Sequence, residues 1–346
     1  MGASEEDPAA SVTWMIRGHW VSLSIRAAIE LGVIDALKAP RTVAQLAAAT
    51  RCDRASLVRL GRVLADLGLV TVSVAPDGAE PVVTRTARGA TLSRGHASRL
   101  RELALLHTSM PHLASWERLA DAVRTGEAVF ESVNGIGWWD FLAANSDEAT
   151  IFNAAMAGRG SDQAAAISAG GDLTGVRHIV DVGGGRGAML AETLLANPEL
   201  TGVLADRAEV AAAAEAYFAE VGLSDRARAV TIDFFDTVPA GGDVYTLANV
   251  LHDWPDQDAT QVLQTVRASM PASARLWVIE RVVDAPGRNG HELSDLHLID
   301  LHLLVVFGAR ERTTAEYDAL LLSAGLSPGR LLLTEGPWNI LETRPR

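Results

Sequence analysis

The chain has 346 residues, enough for two domains, and its 48% hydrophobic and 21% charged residues are ordinary for a folded soluble protein. A formal charge of −13 argues against a general binder of nucleic acid or anionic membrane, and the single cysteine, Cys52, excludes an intramolecular disulfide and a cysteine-based zinc cage. Met1 to Pro8 is acidic and lacks the apolar core of a signal peptide, and the longest apolar run, Leu301 to Phe307, is too short to span a bilayer, so a cytoplasmic location is expected.

From Val12 to Leu37, apolar residues recur at helical spacing with breaks at Gly18 and Gly32. Trp14, Trp20, Leu23 and Ile29 give this stretch more apolar surface than a lone helix keeps in water, and a second copy of the chain is a fitting cover. Thr42 can cap a helix over Val43–Ala49, a turn at Thr50–Asp53 leads to a second helix over Arg54–Leu67, and Cys52 reads as a small packed residue. Leu69–Val74 and Pro81–Thr84 read as strands joined by a hairpin turn at Asp77-Gly78. This is a winged-helix outline. Arg54, Arg59 and Arg62 raise the possibility of reading DNA, against which stand Asp53, Asp66 and the acidity of the whole chain.

Residues 96–170 read as all-helical. Trp138 and Trp139 are first of all packing residues, although Trp139, with Phe152 and Met156 on the helix that follows, can also wall a substrate pocket. Gly170–Gly175 reads as a linker. Strands and helices then alternate: strands Val176–Asp181, Thr201–Ala205, Ala227–Ile232, Asp243–Ala248 and Arg275–Ile279, with helices at Ala208–Gly222 and Gln257–Ser269. A helix over Asp295–Val306, another over 313–324 and a hairpin around Gly336-Pro337 complete the pattern. The expected organisation is 1–100 as a helical N-terminal domain, 101–172 as a helical connecting and substrate-lining region, and 173–346 as an α/β domain.

The chemistry gathers at strand ends. Asp181-Val182-Gly183-Gly184-Gly185-Arg186-Gly187 joins a buried strand to a helix, and glycines such as Gly183 and Gly185 let a ligand approach the backbone closely. That suits a nucleoside-containing cofactor on the carboxyl edge of a parallel sheet. Asp206, about twenty residues beyond the loop, fits a ribose acceptor, and Asp233 beside Phe234 can hold an adenine. The fourth strand runs into Asn249-Val250-Leu251-His252-Asp253-Trp254. His252, with an unperturbed pKa of about 6.5, is the expected base toward a phenol whose pKa is about 10, with Glu280 and Glu311 orienting the imidazole. Asn249 and Asp253 flank it, on the cofactor and substrate sides respectively. His291, His297 and His302 lack the spacing of three or four that would put a metal pair on one helical face, so no metal is expected there.

Together these residues resemble the S-adenosylmethionine-dependent O-methyltransferases that act on small molecules in plant phenolic and bacterial aromatic-polyketide metabolism. The resemblance runs over nearly the whole chain and rests on Phe152-Asn153-Ala154-Ala155-Met156, the glycine loop, Asp233-Phe234-Phe235, Leu251-His252-Asp253-Trp254 and Gly308-Ala309-Arg310-Glu311-Arg312-Thr313. It implies a Rossmann-like domain with a mostly parallel seven-stranded sheet after a winged-helix dimerisation domain. It further implies S-adenosylmethionine at Gly183, Asp206, Asp233 and Phe234, S-adenosylhomocysteine as product, His252 as base beside Glu280 and Glu311, and no metal. The partners implied are a small aromatic substrate and a second copy in an intertwined homodimer whose N-terminal helices help cover the partner's site, with no nucleic acid or membrane. Two positions depart from the pattern. Arg186 occupies a loop position that need only be small or polar, so its side chain is expected to point away from the cofactor. Asp206-Arg207-Ala208 stands where aspartate, leucine and proline are commoner. For a phenolic acid, such as an orsellinic-acid-like compound, Arg17 is the candidate carboxylate clamp. The competing readings are a cofactor-binding protein with altered or lost methyl transfer, and a ligand-responsive DNA-binding regulator.

Overall fold

Breaks at Arg17 and Gly32 divide the apolar N-terminal stretch of the computed structural model into α1 (Pro8–Ile16), α2 (Gly18–Glu30) and α3 (Val33–Ala36). The structure describes residues 7–73, 80–287, 290–334 and 336–346, and the chain divides into two compact units, Met1–Met110 and Pro111–Arg346. In the first, β1 (Arg41–Thr42) leads into α4 (Val43–Thr50), where Thr42 and Gln45 form a reciprocal capping box. Asp53 caps α5 (Arg54–Asp66) by accepting from the Ser56 N–H. β2 (Val70–Ser73) and β3 (Val82–Arg85) pair antiparallel, and β1 completes a small sheet of order β1-β3-β2. The expected Asp77-Gly78 turn and Met1 to Glu6 lie outside the described residues. α6 (Ala87–Ala90) and α7 (Leu100–His107) end the unit. Ile29, Ile34, Leu46, Leu57, Leu64 and Val83 are among the residues of its core. Cys52 sits half-buried in the expected turn between α4 and α5, packed against this core; Arg51 ends α4 in a left-handed conformation.

The second unit begins with short helices: α8 (Met110–Trp116), α9 (Leu119–Thr125), α10 (Phe130–Asn134) and α11 (Trp138–Ala144). α12 (Ser146–Ala157) and α13 (Gly160–Gly170) follow, separated by a turn at Gly158-Arg159. Segment 101–172 is thus shared, with α7 in the first unit and residues from 111 onward in the second.

The sheet alternates with helices: β4 (His178–Val182), α14 (Ala188–Ala196), β5 (Thr201–Asp206), α15 (Ala208–Glu220), β6 (Ala227–Thr231), β7 (Val244–Ala248), α16 (Asp256–Ser269) and β8 (Arg275–Glu280). α17 (Gly290–Phe307), α18 (Thr314–Ser323), β9 (Arg330–Leu332) and β10 (Asn339–Thr343) complete it. The seven strands run in the order β6-β5-β4-β7-β8-β10-β9; β4 to β8 are parallel, and β10 is antiparallel to both neighbours. Alternate side chains serve opposite faces, as strand geometry requires. Val180, Tyr245, Leu247, Leu276 and Val278 pack with α16 and α18, while Ile179, Val244, Trp277 and Ile279 pack with α13, α14 and α15. Burial on both faces accounts for the near-continuous apolar runs that mark these strands in the sequence. The strand order reverses between β4 and β7, so a crevice opens at their carboxyl ends. Among the described residues no helix is long and apolar enough to cross a membrane.

Candidate active site

The glycine loop leaves β4 at Val182 and enters α14 at Ala188. Gly183 has φ +70°, and a Cβ there would lie 2.9 Å from a Val250 methyl; Gly187, at φ +80°, would push a Cβ to 2.6 Å from the Phe218 ring. Both positions therefore need glycine for backbone conformation and for space. Beneath the loop, fully buried Asp181 accepts from the Thr246 hydroxyl at 2.7 Å through Oδ1, while its Oδ2 has no partner among the described residues. Burial raises its pKa to about 7 against the Thr246 hydrogen bond. Asp206 at the end of β5 accepts from the Gly185 N–H at 3.0 Å and from the Arg207 N–H at 2.7 Å. Burial pushes its pKa up and these two bonds pull it down.

The loop forms one side of a cleft of about 360 Å³. Trp139, Phe152 and Met156 line a second side, and Phe234, Phe235 and Trp254 supply flat aromatic surface. Phe234 and Phe235 meet Trp254 edge-on, with ring centroids 5.8 and 4.8 Å away, and Trp139 stacks on Trp254 at 6.2 Å. Exposed Asp233 folds its own turn by accepting from the Phe235 N–H at 2.9 Å. Asn249, at φ +59°, is one of three non-glycine residues with positive φ among those described. Of the sequence-predicted residues, Asp181, Gly183, Gly185, Asp206, Asp233 and Phe234 all line this cleft, as do Asn249, Trp139, Phe152, Met156 and Asp253. Arg186 also borders it, with an exposed side chain.

His252 lies in a 3₁₀ turn, Leu251–Asp253, and is 2% exposed. Its Nδ1 is 3.2 Å from Glu311 Oε1 and 3.6 Å from Glu280 Oε2, and its Nε2 is 3.3 Å from Asp253 Oδ1. Glu280 also accepts the Val250 and Leu251 N–H groups through Oε1, which fixes the start of the turn. Arg312, wholly buried, holds the turn from behind by donating to the Leu251 and Trp254 carbonyls at 2.8 and 2.7 Å and to Asp256. Burial opposes the charge on His252, but the three carboxylates outweigh it and raise its pKa to about 9. The carboxylates thus favour the protonated form of this imidazole more than water would. Burial raises Glu280 to about 7 and Asp253 to about 6, with His252 opposing both shifts. Asp253 is the member of this group that borders the cleft; His252, Glu280 and Glu311 stand behind it. Side-chain atoms of those three lie within 4.8 Å of one another, a spacing a metal ion could also use.

The remaining candidates lie elsewhere. Arg17, in the N-terminal unit, is exposed between α1 and α2 with its guanidinium 5.5 Å from the Trp20 ring centroid. His302 accepts from Trp116 Nε1–H at 3.2 Å and stacks on buried His112 at 5.3 Å, a packing role; the side chain of His291 is outside the described part. Arg54 is paired with Glu80 at 2.8 Å on the helix weighed as a DNA reader. Sequence reasoning missed Arg159, Arg207 and Arg312. Arg207 lies over the Trp139 ring at 5.2 Å across the cleft, and the Gly158-Arg159-Gly160 interruption of a helical run was the available signal for Arg159.

A reversed seven-stranded sheet, a glycine loop at its switch point and acids after successive strands define a nucleoside-cofactor transferase fold. Residues 116–327 match the O-methyltransferase domain family and residues 14–95 the O-methyltransferase dimerisation domain. The chain is 35% identical to the phenazine O-methyltransferase PhzM of Lysobacter antibioticus over 96% of this chain and 94% of that one. The solved mitomycin 7-O-methyltransferase MmcR superposes with a TM-score of 0.89 at 35% identity, covering 98% of each chain. NcsB1, an O-methyltransferase from neocarzinostatin biosynthesis solved with S-adenosylmethionine and 2-hydroxy-5-methyl naphthoic acid, superposes at 0.78 with 31% identity over 94% of this chain and 96% of that one. The chain belongs to the O-methyltransferase family. It is an S-adenosylmethionine-dependent enzyme, and its own residues fit that cofactor: a loop without side chains at Gly183 and Gly185, an Asp181 oxygen beneath it with no partner among the described residues, and aromatic surface alongside.

Proposed function

We propose that this enzyme methylates a hydroxyl of a small aromatic secondary metabolite, a phenol or a polyketide-derived phenolic acid resembling orsellinic acid, with His252 as general base. The observation that carries this reading is that Asp253, 3.3 Å from His252 Nε2, lines an aromatic cleft. Asp206, Asp233, Phe234 and the glycine loop hold the cofactor, and Trp139, Phe152 and Met156 hold the flat substrate. Once bound, S-adenosylmethionine supplies an electrophilic methyl group on sulfur, which leaves alignment and deprotonation to the protein.

His252 accepts the hydroxyl proton through Nε2 in its neutral form, with Nδ1–H donated to Glu311. The positive charge that forms is already compensated by Glu280 and Glu311. No metal takes part in this scheme. Exposed Trp14, Met15, Ile16 and Trp20 support assembly of the N-terminal unit with a second copy, as a cytoplasmic homodimer. Calorimetric titration with S-adenosylmethionine and S-adenosylhomocysteine, followed by a screen of phenols and phenolic acids for methyl ethers, tests the proposal. Micromolar binding of both, and a methyl ether that forms equally well after exhaustive chelation, are expected. Absence of cofactor binding, or loss of turnover on chelation, overturns it.

A further inference from the structure

Several arginines of this protein are well partnered. Arg226 donates to four backbone carbonyls, Arg312 to two carbonyls and a carboxylate, and Arg281 pairs with Asp295 at 2.8 Å. Arg159 is different. It borders the cleft half-buried, at the turn between α12 and α13. Among the described residues its one side-chain hydrogen bond is a long contact, 3.4 Å from Nη1 to Asn249 Oδ1, and no carboxylate oxygen lies within 4.0 Å. A guanidinium carries five N–H donors in a fixed fork, so most of its capacity is unused. The residue that does receive it, Asn249, is held in the left-handed region at φ +59°, a conformation that side chains other than glycine adopt at a cost and that clusters at ligand sites.

The other two cleft arginines are otherwise disposed: Arg186 is exposed and Arg207 lies over Trp139. Burial and the neighbouring Arg281 both lower the pKa of Arg159, while Asp253, Glu311 and Asp295 act the other way from a distance. A cation in that position, with an open fork toward a cavity, is completed by a planar anion.

We propose that Arg159 is the carboxylate-binding residue of the cleft, engaging a carboxylate through its free N–H fork. This rests on the function proposed above and assigns to Arg159 the anchoring task that the sequence suggested for Arg17. Two sources present that chemistry, the amino-acid carboxylate of the cofactor and the carboxylate of a phenolic acid substrate.

The test compares the parent enzyme with Arg159→Gln and Arg159→Lys. In the cofactor arm, S-adenosylhomocysteine and 5′-methylthioadenosine, which lacks the amino-acid portion, are titrated by calorimetry. In the substrate arm, kcat/KM is measured for a phenolic acid and for the same phenol without its carboxylate. If the cofactor is the source, Arg159→Gln weakens S-adenosylhomocysteine about ten- to a hundred-fold and leaves 5′-methylthioadenosine unchanged. If the substrate is the source, cofactor binding is retained and the preference for the acid over the phenol falls by a similar factor. Arg159→Lys keeps the charge without the fork and recovers part of either loss. Equal S-adenosylhomocysteine affinity together with an unchanged acid-to-phenol ratio in Arg159→Gln overturns the proposal. Failure of the underlying function would show separately, as a parent enzyme that binds no cofactor and forms no ether.

Discussion

The two ends of the cleft are built from different materials. At the glycine-loop end the structure is made by backbone: glycines turn, and Asp206 and Asp233 accept from the N–H groups of Gly185, Arg207 and Phe235. At the His252 end it is made by side chains, with His252, Asp253, Glu280 and Glu311 sharing charge in a buried cluster closed from behind by Arg312. The first arrangement fixes a shape that a ligand fills. The second stores protons, and its behaviour follows from coupling between groups rather than from any one of them. Substitutions at the two ends should accordingly fail in opposite ways.

The largest effect is expected from His252→Ala. Turnover should fall about 10²- to 10⁴-fold, the usual worth of a positioned general base, while S-adenosylhomocysteine affinity stays near that of the parent. In the parent, kcat/KM should rise with pH toward about 9, where His252 in the free enzyme loses its proton, and His252→Ala should lose that limb. Near-parental turnover in the variant would remove His252 from the reaction.

Gly183→Ala probes the other end and should reverse the pattern. The new methyl would meet Val250 at 2.9 Å and require a left-handed backbone, which costs an alanine about 1–2 kcal/mol. Affinity for S-adenosylhomocysteine should fall about tenfold, with kcat at saturating cofactor nearly preserved. Calorimetry and initial-rate kinetics separate the two. Equal loss in kcat would mean that the loop and the base cluster are mechanically one unit.

The backbone-built end was legible in the sequence because its signals are local. Glycine spacing after an apolar run, and single acids closing strands such as Asp206 and Asp233, depend only on neighbours along the chain. The order of helices and strands was legible for the same reason. The break at Gly158-Arg159 was not, because a glycine inside a helical run is tolerated as often as it ends one. The start of α17 was also missed: between Gly290 and Asp295 Leu293 is the one large apolar residue, too little to mark a helix start. The His252 end was legible in its members but not in its coupling. Asp253, Glu280 and Glu311 come from three separate segments, and the charge they impose on His252 exists only when the fold brings them to within 3.2–3.6 Å.

That coupling leaves the smallest predicted effect, in the stability of the free enzyme. The folded pKa of His252, about 9, lies above its unfolded value of about 6.5, so the folded state binds the proton more tightly. The resulting stabilisation is complete below about pH 6.5 and is lost as pH rises through about 9. Glu280 and Asp181, both raised to about 7, act with the same sign, since each binds its proton more tightly when folded and that advantage is spent by about pH 7. The melting temperature, followed by calorimetry, should therefore fall by a few degrees, of the order that about 1–2 kcal/mol produces in a chain of this size, between pH 6.5 and 9. His252→Asn, which cannot be protonated, should flatten the part of the decline above pH 7 and leave the Glu280 and Asp181 part below it. A melting temperature that rises over this interval in the parent would mean that the cluster does not hold its extra proton, and the imidazole would then be neutral at pH 7, as the sequence alone suggests.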